Sequence, residues 1–462
     1  MSAFDSVYAK LPVPLQHAAV SFFGMYWHHL RFGPGYEKYV QTYMKCEKFT
    51  REQWQDWQAA QLKNILPACV KYVPHYRKNW NEAQKRVAIN GTLSSLPLLE
   101  KDPIRVNPRS FLREDMQPSH PQKFLTSGST GTPISSYYTI PELRQSLALR
   151  EVRSARWAGV SFSMPRATFS GRMVEPNPDS TGPFYRYNAA EKQVYFSPFH
   201  LRPDTAHQYV DALRRHHIQW GTGYAVSFYL LARFMLEKNI PAPNLRAVIT
   251  TSEKLTPEMR VVMERAYGCK IYEEYSTVEN AIFASECEQG HLHVSPDVAV
   301  VEILCPDGSP CAAGEAGEVV VTTLAHFYQP LIRFRLGDMA MWDDEPCRCG
   351  RQMPVIKEVI GRIEDIVIGP DGRQMVRFHG IFVNQPHIRE GQIIQEKLDH
   401  IRVKVVPTEN FDNSDVQDVI HRVQQRLGRD VNVSVESVNN IPRTKSGKFQ
   451  AVISLLDKPK SI

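Results

Sequence analysis

R-A-V-I-T-T-S-E-K-L-T-P-E-M-R-V-V-M-E-R-A-Y-G-C-K-I-Y-E-E, Arg246–Glu274, decides the fold class. Arg246–Thr251 is a β-rich run, Pro257–Tyr267 reads as a helix, and Lys270–Glu274 reads as a second strand. Strand, helix and strand at this spacing form a βαβ unit, which makes a mostly parallel sheet with helices on its faces. Upstream, Ala167–Phe169 reads as a short strand. Pro203–His216 reads as a helix with proline in its first turn, and Tyr224–Glu237 as a second, apolar helix. Downstream, Val298–Leu304 and Glu318–Thr323 are β-branched runs joined by the turn-rich C-P-D-G-S-P at Cys305–Pro310.

Nearer the N-terminus, Glu47–Trp80 is helical in pattern, with Trp54, Trp57, Leu62, Ile65 and Leu66 three and four residues apart. Pro67 and Pro74 are expected to limit its helices, and the tryptophans read as core. Leu96–Pro108, rich in proline and charge, reads as a loop. After Gly361 the composition changes. Ile363–Ile368, His400–Val406 and Asp430–Val438 are strand-like and Asn413–Leu427 is helical, enough for a separate small α+β domain. The expectation is an α/β protein: a large N-terminal domain over 1–361, with mostly parallel sheets flanked by helices, and a small C-terminal α+β domain over 362–462.

Composition narrows the function. Apolar residues make up 42% and charged residues 23%, as in ordinary soluble globular proteins. A net charge of +6 over 462 residues fits an anionic ligand such as a nucleotide. No basic cluster interleaved with aromatics appears, which sets nucleic acid aside. Eight sparse cysteines argue against a disulfide framework. Met1–Pro12 lacks the character of a secretory leader, so cytoplasm is the default. Val13–Leu30 is fairly apolar, but Pro14, Gln16, His17, His28 and His29 interrupt it. It is too short and polar to span a bilayer. A core or domain-surface helix is preferred there over a membrane-surface helix.

L-T-S-G-S-T-G-T-P, Leu125–Pro133, gathers hydroxyls of Thr126, Ser127, Ser129, Thr130 and Thr132 around Gly128 and Gly131. Such a loop can wrap phosphate oxygens, and glycine permits the close approach. It lacks the lysine of a Walker loop, and read alone it is equally a Ser/Thr/Gly surface loop. Four further motifs follow in order: E-Y-S-T-V-E-N (Glu274–Asn280), R-F-R-L-G-D (Arg333–Asp338), G-R-I-E-D (Gly361–Asp365) and P-R-T-K-S-G-K-F (Pro442–Phe449).

In this order the motifs resemble the adenylate-forming acyl-CoA and aryl-CoA ligase superfamily, on its phenylacetate–CoA ligase and CapK-like branch, from about Arg31 to Ile453. The resemblance implies ATP-dependent activation of a carboxylic acid as an acyl-AMP. Thr126–Thr132 would grip the triphosphate, Tyr275 would stack on adenine beside Ser276 and Thr277, and Glu253 would flank the adenine pocket. Glu279 matches the glutamate that faces Mg²⁺, a cation for which one carboxylate plus phosphate oxygens suffices. Asp338 matches the ribose-binding aspartate, and Arg362 would reach ribose or phosphate. Arg333 and Arg335 rank lower, as positive neighbours or structural ion-pair partners.

Lys448 would reach from the small domain to the carboxylate and α-phosphate. It would leave as that mobile domain rotates for the second half-reaction, pivoting at Glu364 or Asp365. The acceptor is CoA or another nucleophile such as an amine. G-P-D-G-R-Q-M (Gly369–Met375) departs from the usual thioester-site glycine motif. Phe169, Phe199, His200, Gly223 and Tyr224 fall where the resemblance puts the acyl pocket. A polysaccharide or secondary-metabolite pathway is the implied setting, and a dimer is compatible with it. A second constellation joins Cys287 and His293 of C-E-Q-G-H-L-H to Cys347 and Cys349 of C-R-C-G. Three thiolates and an imidazole make a closed tetrahedral zinc site, structural in type, with His291 as the alternative to His293. Some relatives on this branch bind zinc at matching positions.

Overall fold

The computed structural model describes residues 8, 10–125, 133–172, 174–177, 179–360, 367–375, 378–382, 385–442 and 452–456. Its centre is a twelve-stranded sheet. In chain order the strands are Arg166–Phe169 (β1), Tyr185–Asn188 (β2), Gln193–Phe196 (β3), Trp220–Tyr224 (β4), Ala247–Thr251 (β5) and Lys270–Ser276 (β6). Phe283–Glu286 (β7), Leu292–Val294 (β8), Ala299–Leu304 (β9), Ala316–Thr323 (β10), Phe334–Asp343 (β11) and Val355–Val359 (β12) complete it. Across the sheet they run β9-β10-β11-β12-β8-β7-β6-β5-β4-β1-β3-β2. The block β6-β5-β4-β1-β3 is parallel, as the βαβ reading requires. From β6 outward through β7 the pairing turns antiparallel.

Local chemistry explains the main elements. The crossover helix Pro257–Tyr267 starts where Thr256 accepts from the Met259 N–H at 3.3 Å and ends at Gly268, whose φ of +66° suits a glycine cap. Arg51–Tyr72 opens with a capping box between Thr50 and Gln53. Pro67 does not end it, contrary to expectation. The carbonyl deprived of a partner belongs to Lys63, on the exposed face where water serves, while Ile65, Leu66 and Cys69 are buried around it. Lys101–Val106, expected as loop, is also a helix. Its Pro103 sits in the first turn, where no N–H is needed. The tryptophan expectation holds for Trp54, which is 3% exposed in the core.

Two apolar clusters flank the sheet: one beneath the N-terminal helices and the antiparallel wing, the other around Phe169, Phe196, Tyr209 and Phe228. Cys305 and Cys311 form a disulfide across the β9–β10 turn, a single local staple where the sparse cysteines gave no reason to expect one. The C-terminal part has its own four-stranded sheet, comprising Ile388–Lys397, His400–Pro407, Asn432–Ser437 and Val452–Ser454. The helix Asn413–Leu427 covers it with Val419, Val423 and Leu427 at i, i+4, i+8. Phe199, just after β3, packs into this cluster, and Arg202 bridges Asp371 at 3.3 Å. No helix among the described residues is long and apolar enough to cross a membrane.

Candidate active site

Strand β6 lies where the sheet changes from parallel to antiparallel, and E-Y-S-T-V-E-N begins at its end. Openings at the carboxyl ends of strands near a change of direction are the usual ligand sites of α/β sheets. Alternate side chains address opposite faces. Glu274, buried, pairs with Arg150 of the helix Ile140–Arg150 (α-helix preceding β1). Ser276 donates to Glu274 at 3.0 Å and accepts from Arg150 at 3.3 Å. Tyr275 turns the other way, and its hydroxyl donates to Asp338 Oδ2 at 2.9 Å.

Asp338 reaches that position through a bulge. The β10–β11 register jumps between Glu318↔Met339 and Val320↔Arg335, with Gly337 at φ +73° inside the irregularity. A bulge of this kind re-aims a side chain beside a site, and glycine takes the left-handed backbone without a Cβ clash. The flanking arginines are structural. Arg333 is held by Glu302 at 3.0 Å and by the Ser94 and Leu96 carbonyls at 2.9 and 2.7 Å. Arg335 is held by Glu318 and Glu100.

The turn after β6 buries Glu279, leaving it 7% exposed. Thr277 Oγ1 accepts from the Ala281 N–H at 3.2 Å, Asn280 takes φ +49°, and His326 bonds the Glu279 carbonyl at 2.8 Å. Burial pushes the Glu279 carboxyl above its usual range, and Asp338 adds to this; the turn's own backbone, Lys101 and Thr277 work against it. A divalent cation would favour the ionised form. Lys101 escaped the sequence reading. It donates to the Leu336 carbonyl at 2.6 Å, so its helix places a cation whose charge reaches Glu279.

Glu253 has a different setting. Its Oε2 accepts from the Val226 N–H at 3.0 Å, in the first turn of the helix Ala225–Glu237, where a carboxylate complements the helix dipole. Thr126, Ser127, Gly128, Ser129, Thr130, Gly131, Thr132, Arg362, Glu364, Asp365 and Lys448 lie outside the described residues.

A cavity of about 440 Å³ opens on the Glu274 face, lined by Arg150, Thr168, Tyr195, Trp220, Thr222 and Glu274 among others. The side chains expected to form an acyl pocket are placed elsewhere. Phe169 is core, stacked on Phe196 and Tyr209, and Phe199 joins the C-terminal cluster. His200 is buried between Ser197 Oγ and the Asn177 carbonyl, both at 2.8 Å. Gly223 lies where a Cβ would sit 1.9 Å from the Phe169 carbonyl oxygen.

On the antiparallel wing, Cys287 after β7, His293 in β8, and Cys347 and Cys349 before β12 bring one ligand atom each within 4.8 Å of all the others. Cys287 and Cys347 sulfurs are 3.7 Å apart, and Cys349 Sγ is 3.4 Å from His293 Nε2. Tetrahedral zinc would set about 3.8 Å between two sulfurs and about 3.5 Å between sulfur and nitrogen. His293 Nδ1 faces the Met353 carbonyl at 3.4 Å, the outer contact that orients a ligating imidazole. Burial holds that imidazole down to about 4, hence neutral as ligation requires. His291 Nδ1 lies 3.3 Å from Cys347 Sγ but outside the four-atom group.

Comparison with known proteins agrees with this geometry. Residues 368–455 match the CapK C-terminal domain family. The chain is 25% identical to Protein CapK of Staphylococcus aureus, over 97% of this chain and 98% of that one. Phenylacetate-coenzyme A ligases of Thermus thermophilus and Escherichia coli are 24% and 28% identical. Each alignment covers 46% of this chain and about half of the ligase, 54% and 52%. Among solved structures, 2-hydroxyisobutyryl-CoA ligase in complex with 2-HIB-AMP and CoA superposes with a TM-score of 0.57 at 20% identity, over 88% of this chain and 91% of that one. The same ligase in its postadenylation state gives 0.55. The resemblance read from the motifs is therefore borne out: the chain is similar to Protein CapK and to phenylacetate-coenzyme A ligases, and it shares the fold of 2-hydroxyisobutyryl-CoA ligase.

Proposed function

We propose that this chain is an adenylate-forming ligase that activates a carboxylic acid with ATP. The observation that carries the reading is the meeting of Tyr275, Asp338 and Glu279 at the end of β6. There an aromatic ring, a ribose-competent carboxylate and a buried metal-competent carboxylate share one edge. In the first step the acid's carboxylate oxygen attacks the α-phosphorus of ATP. The α–β bridging P–O bond breaks, and pyrophosphate leaves as the acyl-AMP forms. In the second step a nucleophile attacks the acyl carbon and AMP departs with the C–O electron pair.

Tyr275 presents a face for adenine. Asp338, oriented by the Tyr275 hydroxyl, accepts from the ribose hydroxyls. Glu279 is the residue to hold Mg²⁺, which when bound neutralises phosphate charge. Thr126–Thr132 cradle the triphosphate. Glu253, Ser276 and Thr277 hold the frame around the nucleotide rather than the reacting atoms. Arg362 and Lys448, from a small domain spanning 362–462, bring positive charge to the α-phosphate, where charge develops in the transition state. The cavity beside Glu274 takes the acid. Cys287, His293, Cys347 and Cys349 hold a structural zinc that braces the wing behind Asp338. CoA or an amine is the acceptor, in a polysaccharide or secondary-metabolite pathway.

Product analysis tests this. The protein, ATP, Mg²⁺ and pools of aryl, fatty, hydroxy and amino acids, with and without CoA, should release AMP and pyrophosphate and yield an acyl-AMP by mass spectrometry. Release of ADP and phosphate, or no acid-dependent turnover with ATP still bound, would remove the reading.

A further inference from the structure

The helix Val13–Phe32 is inverted relative to an ordinary surface helix. In its N-terminal half the polar side chains Gln16, His17 and Ser21 face the protein. Gln16 is 4% exposed and bonds Arg186 and the Leu11 carbonyl. His17 Nδ1 accepts from the Tyr187 N–H at 2.8 Å, and Ser21 Oγ accepts from the Ala189 N–H at 3.0 Å. Gly24 approaches Asn188 so closely that a Cβ would overlap its amide. The apolar side chains face solvent instead: Leu15 is 53% exposed, Phe22 77%, Met25 61% and Tyr26 53%. Residues 15, 22, 25 and 26 fall on one stripe of a helix, and single exposed apolar residues are ordinary whereas a contiguous aromatic stripe is not.

We propose that this stripe docks on a lipid surface bearing anionic headgroups, with the helix lying in the membrane plane. Three observations favour that occupant. The helix has no Asp or Glu from Val13 to Phe32, and Arg31 near its C-terminal end shares the Glu191 carboxylate with Arg166, two cations to one anion, so its charge complements an anionic surface. Phe, Tyr and Met are side chains that settle at the boundary between headgroups and acyl chains. The polar contacts with Tyr187, Ala189 and Arg186 fix the helix to the body, so the apolar stripe is presented rigidly. The stripe also borders a second cavity, of about 200 Å³, lined by Val20, Phe23, Trp27 and Arg172. Trp27, Arg31, Arg172 and Tyr195 line both this cavity and the one beside Glu274. A docked helix would thus bring the acid-side cavity to the membrane interface.

The test is flotation of the full chain with vesicles of phosphatidylcholine alone and of phosphatidylcholine with roughly 30% phosphatidylglycerol. The variants are Phe22→Ser and the triple Phe22→Ser/Met25→Ser/Tyr26→Ser, neither touching a cavity. The wild type should float with the anionic vesicles, weakly with the neutral ones, and less as salt rises from about 0.1 to about 1 M. The triple variant should lose at least about tenfold of that binding, and the single variant part of it, with unchanged unfolding temperatures. No flotation, equal flotation of the triple variant, or equal binding to neutral vesicles would overturn the proposal. A solution dimer that the triple variant dissociates, without vesicle binding, would assign the stripe to a second copy instead.

Discussion

The two halves of the large sheet differ in pairing and in what they offer a ligand. The parallel half is walled by helices and holds the cavity beside Glu274, with internal ion pairs such as Arg166–Glu191 and Arg186–Glu175. The antiparallel wing has hairpins, the Cys305–Cys311 staple, the Cys/His corner and the bulge that aims Asp338. Strand β6 belongs to both. Glu274 faces the cavity and Tyr275 faces Asp338, so under the proposed function neighbouring residues of one strand would serve acid and nucleotide.

The largest effect should come from Lys448→Ala, which removes the charge proposed to act on both substrates. Adenylate formation should fall about 10²–10³-fold with ATP binding nearly intact; unchanged exchange in that variant would take Lys448 out of the mechanism. Next are substitutions that split the halves. Asp338→Ala should raise the KM for ATP about tenfold or more and leave the KM for the acid nearly unchanged, while Thr222→Leu should do the reverse. If both variants shift both constants equally, the division of labour is wrong.

Cys347→Ser should bring bound zinc from about one per chain to near zero and lower the unfolding temperature by several degrees, while changing ATP affinity less than about threefold. Metal analysis of the wild type showing no zinc would remove the corner as a metal site. The smallest effect concerns Glu273, on β6 between the halves, whose carboxyl is pushed up to about 7 by burial and by Glu286. The folded state therefore holds this proton more tightly than the unfolded chain. The resulting stability is present below the usual glutamate range and is lost as pH rises through 7. Glu273→Gln should flatten that slope in unfolding measured from pH 4.5 to 7.

The βαβ core was legible because its hydrophobic period changes within one stretch and Thr256, Pro257 and Gly268 mark the helix ends. Strand β4 was not, because the two glycines of W-G-T-G-Y interrupt any β-branched run. Its glycines are there for packing: a Cβ at Gly221 would sit 2.7 Å from the Phe228 ring, and one at Gly223 would meet the Phe169 backbone. Lys101 was hidden for a related reason, since Pro103 reads as a breaker when its place in the first turn is unknown. The Cys287, His293, Cys347 and Cys349 set was legible as residue types, but only β8 and the loop before β12 bring its halves together. That Phe169 and Phe199 do not line the cavity beside Glu274 was not legible, because an aromatic on a strand or turn looks the same whether it fills the core, as Phe169 does, or lines a cavity, as Tyr195 does.

Carboxylate-dependent ATP–pyrophosphate exchange tests the central claim most directly. Label should pass from pyrophosphate into ATP only when a suitable acid is present and without any need for CoA, and Lys448→Ala should slow it about 10²–10³-fold. Absence of exchange with every acid pool, by a protein that still binds ATP and Mg²⁺, would contradict the assignment of this site to adenylation.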